Sequence, residues 1–323
     1  MPQANKKRAP KGAFFILLFL IACSHIKREP QSEFSQDPFT TFQVYNENLR
    51  EEFRLGMYLE NPDKPFKGCV LYLQGLADSI LNHDPLFKRL SEAGYRTVSF
   101  DYLGQGGTSG SMNDTRLLSS LEKEKEIGNQ AKWVWQLFSS KKYNSRNRNC
   151  SGSKKRVIGW STGGLAAYKL ARENWAEEVV LIAPGLHVRA MVGEAADDWS
   201  RMYLFKDTIT LRTLTRNRGG SNDPHIDPIK PATPAVIPLF AANLLATSLK
   251  ARNWKIPSHV KGLVFLSGKE DTYVDRDKIY RIVRKNAAHF GVQVHDGSLH
   301  EMDNELPPVA NDVRERTVKF FGN

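Results

Sequence analysis

The chain has 323 residues, of which 41% are hydrophobic, and this is enough apolar material for one large or two small packed domains. The formal net charge is +11. The Lys and Arg residues are dispersed, and no basic motif interleaved with aromatic residues is present, so the charge does not indicate a nucleic-acid partner. An anionic membrane surface is the simpler partner.

The amino terminus has the pattern of an export signal. Residues 1–22 contain several basic residues and no acid, and their last ten residues form an apolar run. This run is too short to span a bilayer comfortably, so a cleaved signal peptide is the better interpretation. The end of the run resembles a bacterial lipobox, made of Leu20, Ile21, Ala22 and Cys23.

In a lipobox the cysteine thiol is acylated and the peptide before it is removed, which predicts a lipid anchor on Cys23. Ser24 resembles the residue that directs lipoproteins to the outer rather than the inner membrane of diderm bacteria. We therefore expect a protein of the cell envelope. The alternative is an ordinary secretory peptide or a short membrane anchor with an incidental cysteine.

The sequence after the signal peptide predicts a tether and then one domain. Residues 23–42 are polar, contain two prolines and show no apolar periodicity, which is typical of a flexible tether. The remaining residues, 43–323, are predicted to form the folded domain.

Strand and helix patterns alternate along this domain. An alternating stretch predicts a strand at 52–60, and continuous apolar runs predict buried strands after it. Helical spacing of apolar residues predicts helices at 84–93 and 118–138, the second with Leu121 on its apolar face. The other predicted strands are 67–76, 96–102, 155–160, 177–185, 260–268 and 291–298. This order predicts an α/β fold with a mostly parallel sheet covered by helices on both faces.

The carboxyl ends of parallel strands are where reacting groups gather. Ser161 follows one predicted strand within Gly159-Trp-Ser-Thr-Gly163, a pattern that forces the serine to positive φ and leaves no room for side chains two residues away. Asp271 and His300 follow two later strands. The chain order Ser, Asp, His, together with this elbow, is that of the α/β-hydrolase arrangement.

These three residues form the predicted catalytic triad. A neutral serine is a weak nucleophile and needs a base, proposed as His300, and the imidazole needs a carboxylate, proposed as Asp271. Two other residues compete for these roles, but Asp275 is better explained as a helix cap and His295 as a residue of the last strand. The other histidines are His83, His187, His225, His259 and His289, and none has a strand-end position that suits a base.

An acyl-transfer site also needs donors for the oxyanion. These are usually one backbone amide after the nucleophile and one in the loop after an early strand. Here they are the amides of Thr162 and Leu76. Gln74 stands where many such enzymes have histidine. No nucleotide-binding loop or zinc-binding spacing is present in the sequence, and we expect no cofactor and no metal.

From about residue 50 to its end, the chain resembles the lysophospholipase and monoacylglycerol lipase group of α/β-hydrolases, also called the serine aminopeptidase-like group. The resemblance lies in LYLQGLADS, FDYLGQGGTSG, GWSTGG, LSGKEDTYVD and GSLHEMDNE. Leu103 departs from the pattern, because arginine is usual there. The resemblance implies an α/β-hydrolase fold and a serine hydrolase that cleaves single-chain acyl esters, either lysophospholipids or monoacylglycerols.

The resemblance also implies a lid over the acyl pocket, formed by an insertion at about 186–255. This insertion contains more basic than acidic residues and a proline-rich stretch, which would suit lipid headgroups. The proposed pocket residues are Met202, Leu204, Phe205, Leu239 and Phe240. The alternative is a helical insertion that only packs on the core.

Three other interpretations stay open at this point. The same triad serves small-ester carboxylesterases and peptidases, and the fold can also act as a non-catalytic binding module of a lipoprotein.

The two remaining cysteines, Cys69 and Cys150, are predicted to lie near neighbouring strands and can pair in an oxidising compartment. The distance of Cys150 from its strand favours a buried free thiol at Cys69 and an exposed Cys150 instead.

Overall fold

A computed structural model of the chain describes residues 26–28, 39–143, 148–189, 214–217 and 237–323. These residues form one sheet in the order β1-β2-β3-β5-β4-β6-β7-β8-β9. The strands are β1 (Ile26–Arg28), β2 (Phe39–Asn46), β3 (Glu51–Tyr58), β4 (Cys69–Leu73), β5 (Arg96–Phe100), β6 (Arg156–Trp160), β7 (Glu178–Ile182), β8 (Lys261–Leu266) and β9 (Gly291–Val294).

The helices of the described residues lie between or after the parallel strands. They are α1 (Asp84–Glu92), α2 (Ile127–Ser139), α3 (Thr162–Arg172), α4 (Ile237–Ala251), α5 (Arg276–Asn286) and α6 (Val309–Gly322). Single 3₁₀ turns occur at Ile80–His83, Met112–Asp114, Lys123–Lys125, Lys141–Tyr143 and Met302–Asn304.

The strand order reverses at β4. The strands from β5 to β9 in the sheet order pair in parallel, whereas β1, β2 and β3 form an antiparallel edge. The chain passes from β4 to β5 in one direction and from β5 to β6 in the other, so right-handed crossovers put α1 and α2 on opposite faces. Consistently, α1 packs against α6, and α2 against α3. The predicted α/β-hydrolase fold is confirmed, and its reversal point is where such sheets bind ligands.

The buried strands are the continuous apolar runs of the sequence. Every residue of β4, β5, β6 and β7 is buried, as expected for strands covered on both faces. The core also contains Trp160, the last residue of β6. Its indole N–H donates to the carbonyl of His300 at 3.1 Å, which ties the end of this strand to the loop after β9.

The predicted helix at 118–138 begins later than expected, at Ile127. The segment before it is a loop closed by backbone hydrogen bonds, one from Arg116 to Lys125 at 2.9 Å and one from Ile127 back to Arg116 at 2.8 Å. Leu121, predicted on the apolar face of this helix, is instead 92% exposed. Helical spacing alone was misleading here, because the loop is fixed by contacts that the spacing does not reveal.

The sheet begins before the predicted domain boundary at residue 43. β1 and the first half of β2 fall within the segment 23–42 that was predicted as a tether, and β2 pairs with β3 along its whole length. Phe39 packs against Tyr58 with ring centroids 5.9 Å apart. Strand pairing and apolar contacts therefore place residues 39–42 in the sheet.

Cys69 and Cys150 form a disulfide, which corrects the expectation of free thiols. Their Cα atoms are 5.4 Å apart, and Cys150 is buried rather than exposed. The turn after Cys150, in which the Ser153 amide donates to the Cys150 carbonyl at 3.2 Å, brings this residue back to the amino end of β4. The bond therefore lies at the amino-terminal edge of the sheet, opposite the strand ends that carry Ser161, Asp271 and His300.

Much of the predicted lid, including Met202, Leu204 and Phe205, lies outside the described residues, as do the signal peptide and Cys23. The described part of the insertion is mainly α4, in which Phe240 is buried and Leu239 is 60% exposed. The Asn243 side chain in α4 accepts from the Leu117 amide at 2.7 Å. Among the helices described, none is long and apolar enough to cross a membrane.

Candidate active site

Ser161 occupies the sharp turn between β6 and α3. Its backbone has φ 51° and ψ −114°, so the positive φ predicted from the sequence is confirmed. A Cβ at Gly159 would lie 2.3 Å from the Gly163 carbonyl oxygen, and one at Gly163 would lie 2.1 Å from that of Leu73. Both glycines are required because α3 starts directly against the ends of β4 and β6. The turn holds the Ser161 side chain at the carboxyl edge of the sheet.

The structure brings the three predicted triad side chains into one hydrogen-bonded line. The Ser161 Oγ lies 2.8 Å from His300 Nε2, and His300 Nδ1 lies 2.8 Å from Asp271 Oδ2. Asp271 and His300 are buried, whereas Ser161 is partly exposed. The arrangement can move a proton from the hydroxyl to the imidazole, while the carboxylate holds the Nδ1–H.

Asp271 is held by four hydrogen bonds. Its Oδ2 accepts from the Ser267 hydroxyl at 2.5 Å as well as from His300, and its Oδ1 accepts from the amides of Tyr273 and Val274 at 2.7 and 3.1 Å. Burial raises the pKa of Asp271, but the charge and hydrogen bond of His300 and the other donors outweigh it, so the pKa is lowered overall. The carboxylate therefore stays ionised beside the imidazole.

The two competing residues occupy other places in the fold. Asp275 caps α5 by accepting from the Lys278 amide at 3.0 Å, as predicted. His295 follows β9 directly, and its ring stacks on Phe265 with centroids 6.0 Å apart. Neither side chain takes part in the line from Ser161 to Asp271.

The two predicted oxyanion donors come from the ends of neighbouring strands. Thr162 is the first residue of α3, and Leu76 lies in the loop after β4, here called the oxyanion loop (residues 74–79). Within the described part of the chain, neither amide donates a hydrogen bond. Gln105 supports the loop, because its Oε1 accepts from the Ala77 amide at 2.6 Å. Gln74, at the position where histidine is common, donates from Nε2 to the Asp78 carbonyl at 3.0 Å.

A buried ion pair also holds the oxyanion loop. Arg54 on β3 donates from Nε to Asp101 at 2.5 Å and reaches the Ser79 hydroxyl at 2.8 Å. Asp101 accepts from the Ile80 amide at 3.0 Å. Burial raises the pKa of Asp101 despite the attraction of Arg54. The sequence singled out Asp101 only as part of a motif and gave no signal for Arg54.

Glu305 holds the loop that carries His300, here called the base loop (residues 295–305). Its carboxylate accepts from the Leu299 amide at 2.9 Å and from the Arg216 amide at 2.8 Å. The Thr215 hydroxyl donates to the Asn304 carbonyl at 3.0 Å. A described piece of the insertion therefore contacts the base loop directly.

The sequence gives no signal for His83, because this residue follows no predicted strand. The structure buries it completely, with one carboxylate at each ring nitrogen. Its ring lies 5.6 Å from that of Trp160, and Trp160 lies 5.5 Å from His300. His83 thus belongs to the wall of the site. Among the described residues no cluster of His, Cys, Asp or Glu is arranged to hold a metal ion.

The reversal of strand order, the strained serine after β6 and the residues after β8 and β9 define the α/β-hydrolase class. Comparison with protein families then matches residues 64–307 to the family described as Hydrolase_4, serine aminopeptidase S33. This match spans well over half of the chain, so the chain belongs to the serine aminopeptidase S33 family and is a hydrolase. No curated protein matches the chain by sequence.

Solved structures share the fold at low sequence identity. A soluble variant of monoglyceride lipase from Saccharomyces cerevisiae, in complex with a substrate analog, is 15% identical, with a TM-score of 0.62 over 84% of this chain and 91% of that chain. The monoacylglycerol lipase of Paleococcus ferrophilus is 17% identical, with a TM-score of 0.58 over 84% and 98%. A thermostable carboxyl esterase from Bacillus coagulans, in complex with glycerol, is 14% identical, with a TM-score of 0.58 over 88% and 98%.

Proposed function

We propose that the protein is a serine hydrolase that cleaves carboxylic esters through an acyl-enzyme on Ser161. The observation that carries the proposal is the line from Ser161 Oγ through both nitrogens of His300 to Asp271, with 2.8 Å at each contact of the imidazole. The nucleophile, the base and the group that orients the base are thus in hydrogen-bond contact before any substrate is bound.

In this mechanism Ser161 Oγ attacks the ester carbonyl while its proton passes to His300 Nε2. The carbonyl oxygen becomes an oxyanion and accepts from the amides of Leu76 and Thr162. The tetrahedral intermediate then breaks its bond to the alcohol oxygen, which leaves with the proton from His300. Water repeats the same steps on the acyl-enzyme, with His300 as base, and releases the carboxylic acid.

The proposed substrates are single-chain acyl lipids, either lysophospholipids or monoacylglycerols. Support comes from the lipases among the similar structures, two of which are named as a monoglyceride lipase and a monoacylglycerol lipase. One acyl chain can leave a bilayer more easily than two, because each buried methylene group costs about 0.8 kcal/mol to remove. We expect medium and long single-chain esters to be better substrates than acetate esters.

The test is a substrate panel with purified full-length protein and its Ser161→Ala variant. The panel contains acetate and butyrate p-nitrophenyl esters, a lysophospholipid, a monoacylglycerol and aminoacyl amides. We expect fatty-acid release from the lipids and its loss in the variant. Hydrolysis of short esters only would indicate a small-ester esterase, and cleavage of aminoacyl amides would indicate a peptidase. A folded, unmodified protein that cleaves none of these and resists serine-directed phosphonates would contradict a catalytic role.

The insertion at 186–255 is proposed as the lid of this site, and an acylated Cys23 as the anchor that keeps the enzyme at an envelope membrane. The support is the sequence alone, namely the lipobox-like stretch and the basic excess of the insertion. Cys23→Ala is expected to stay unprocessed or to leave the membrane fraction of a diderm host. A Cys23→Ala protein in the membrane fraction at the normal mature mass would contradict the anchor.

A further inference from the structure

His83 lies between two carboxylates and out of contact with solvent. Its Nε2 is 2.5 Å from Asp78 Oδ2, and its Nδ1 is 2.8 Å from Asp303 Oδ2. A neutral imidazole has only one N–H and can donate to only one of two ionised carboxylates. With both carboxylates ionised, the two contacts are satisfied only when the ring is an imidazolium.

The electrostatic surroundings agree with a charged ring. Burial lowers the pKa of His83, but Asp78 and Asp303 outweigh it and raise this pKa well above its ordinary value. In turn, the nearby His83 charge holds the pKa of Asp303 below its usual range, although burial opposes this. Tyr72 on β4 packs against the ring, and it interacts in turn with Glu301. The charged and titratable groups that interact with the two carboxylates are Tyr72, Tyr102 after β5 and Arg314 on α6.

The two carboxylates belong to the two loops that carry the proposed catalytic groups. Asp78 is in the oxyanion loop, two residues after Leu76, and Asp303 is in the base loop, three residues after His300. A second series of hydrogen bonds also joins these two loops. Asn82 donates to Asp78 Oδ1 at 3.0 Å, and Asn304 donates to the Asn82 carbonyl at 2.8 Å.

We propose that the His83 imidazolium is a positioning residue, which joins the oxyanion loop to the base loop and so sets the Leu76 amide relative to His300. This inference rests on the proposed function of Ser161 and His300. His83 touches no reacting atom in this mechanism. It acts because the oxyanion donor and the base lie on separate loops, and a displacement of about 1 Å between such groups can lower a rate by about 100-fold.

The first test compares His83→Gln with His259→Gln in the full-length protein. His259 is an exposed histidine just before the amino end of β8, at the side of the sheet opposite the strand ends that carry the proposed triad. Its substitution is the matched control. We expect His83→Gln to lower kcat for p-nitrophenyl butyrate and the rate of fluorophosphonate labelling by about 10- to 100-fold, with little change in KM. A kcat within twofold of the control, or a loss confined to KM, would overturn the inference.

The second test asks whether charge is required, and it uses Asp303→Asn, which keeps the shape of the side chain. In protein labelled with ¹⁵N-histidine, His83 is expected to keep protons on both ring nitrogens well above the ordinary histidine pKa, and to lose one at lower pH in Asp303→Asn. The kcat of Asp303→Asn should fall over the same pH range as the loss of that proton. A neutral His83 ring at pH 7 in the unsubstituted protein would overturn the inference even if His83→Gln failed to fold.

Ser161→Ala separates this inference from the proposed function. If Ser161→Ala retains full hydrolysis, both are wrong. If Ser161→Ala is inactive while His83→Gln and Asp303→Asn keep the kcat of the unsubstituted protein, only the positioning role of His83 is wrong.

Discussion

Two buried histidines contact the same Trp160 ring, and they differ in what faces the second nitrogen. His300 has Asp271 at Nδ1 and the Ser161 hydroxyl at Nε2, whereas His83 has a carboxylate at each nitrogen. Burial and residue type are the same in both places. The Ser161 hydroxyl leaves Nε2 of His300 free to accept a proton. On His83, the second carboxylate keeps the corresponding nitrogen protonated.

In the proposed mechanism, the group at the second ring nitrogen decides whether a buried imidazole works as a base or as a fixed cation. A base must gain and lose its proton during the reaction, and a single carboxylate orients the ring without holding both N–H groups. A ring between two carboxylates has no such freedom, and it joins what lies on either side of it.

His300→Gln should remove the proposed base while His83 keeps its place beside Trp160. We expect kcat for p-nitrophenyl butyrate to fall by about 10⁴- to 10⁶-fold, since glutamine cannot accept the Ser161 proton. Stopped assays at high enzyme concentration, with circular dichroism to verify the fold, measure this. Activity within tenfold of the unsubstituted protein would show that another group is the base.

Asp271→Asn should impair His300 through its orientation, and Asp275→Asn is the matched control. An amide at position 271 no longer holds the Nδ1–H, and we expect kcat to fall by about 10⁴-fold. Asp275 only caps α5, so its substitution should cost about 1 kcal/mol of stability and change kcat little. The opposite ranking in steady-state kinetics would assign the acid to Asp275.

The disulfide provides a contrast, since it joins β4 to the loop before β6 and lies away from both histidines. Replacing Cys69 and Cys150 by alanine should lower the free energy of unfolding by about 2–5 kcal/mol, because the unfolded chain loses its cross-link. The kcat should stay within twofold below the unfolding transition. Urea unfolding with and without reductant measures the change in the free energy of unfolding. A midpoint equal to that of the unsubstituted protein under both conditions would contradict the pairing.

The smallest expected effect is a pH dependence of stability that separates the two sites. His83 has a raised pKa, so its stabilising contribution is complete below the unfolded value of about 6.5 and is lost as pH rises through the folded pKa. Asp271 has a lowered pKa, so its contribution is present above the unfolded value near 4 and is lost as pH falls through the folded pKa.

Urea unfolding of the unsubstituted protein and of His83→Gln, measured between pH 5 and pH 10, tests the first half of this statement. The difference in unfolding free energy should be constant at the acid end and shrink at the alkaline end. A difference that stays constant over the whole range would show that folding does not raise the pKa of His83.

The sequence predicts the parts of this site that depend on local order and misses those that depend on distant partners. Continuous apolar runs identify the buried strands, and the residues that follow these strands include Ser161, Asp271 and His300. His83 carries no such signal, because its carboxylates are 5 and 220 residues away along the chain. The late start of α2 has a similar cause, since Glu126 just before it is held by the distant Lys169 at 2.7 Å.

The pairing of Cys69 with Cys150 divides the proposed catalytic groups by their position along the chain. The two cysteines are 81 residues apart, and the covalent ring that they close includes the oxyanion loop, His83 and Asp101, whereas Ser161, Asp271 and His300 all lie beyond it. If the chain enters an oxidising compartment from its amino end, the ring can close before Ser161 arrives. The loop that carries the Leu76 amide would then be covalently enclosed before Ser161 and the second oxyanion donor, Thr162, fold against it.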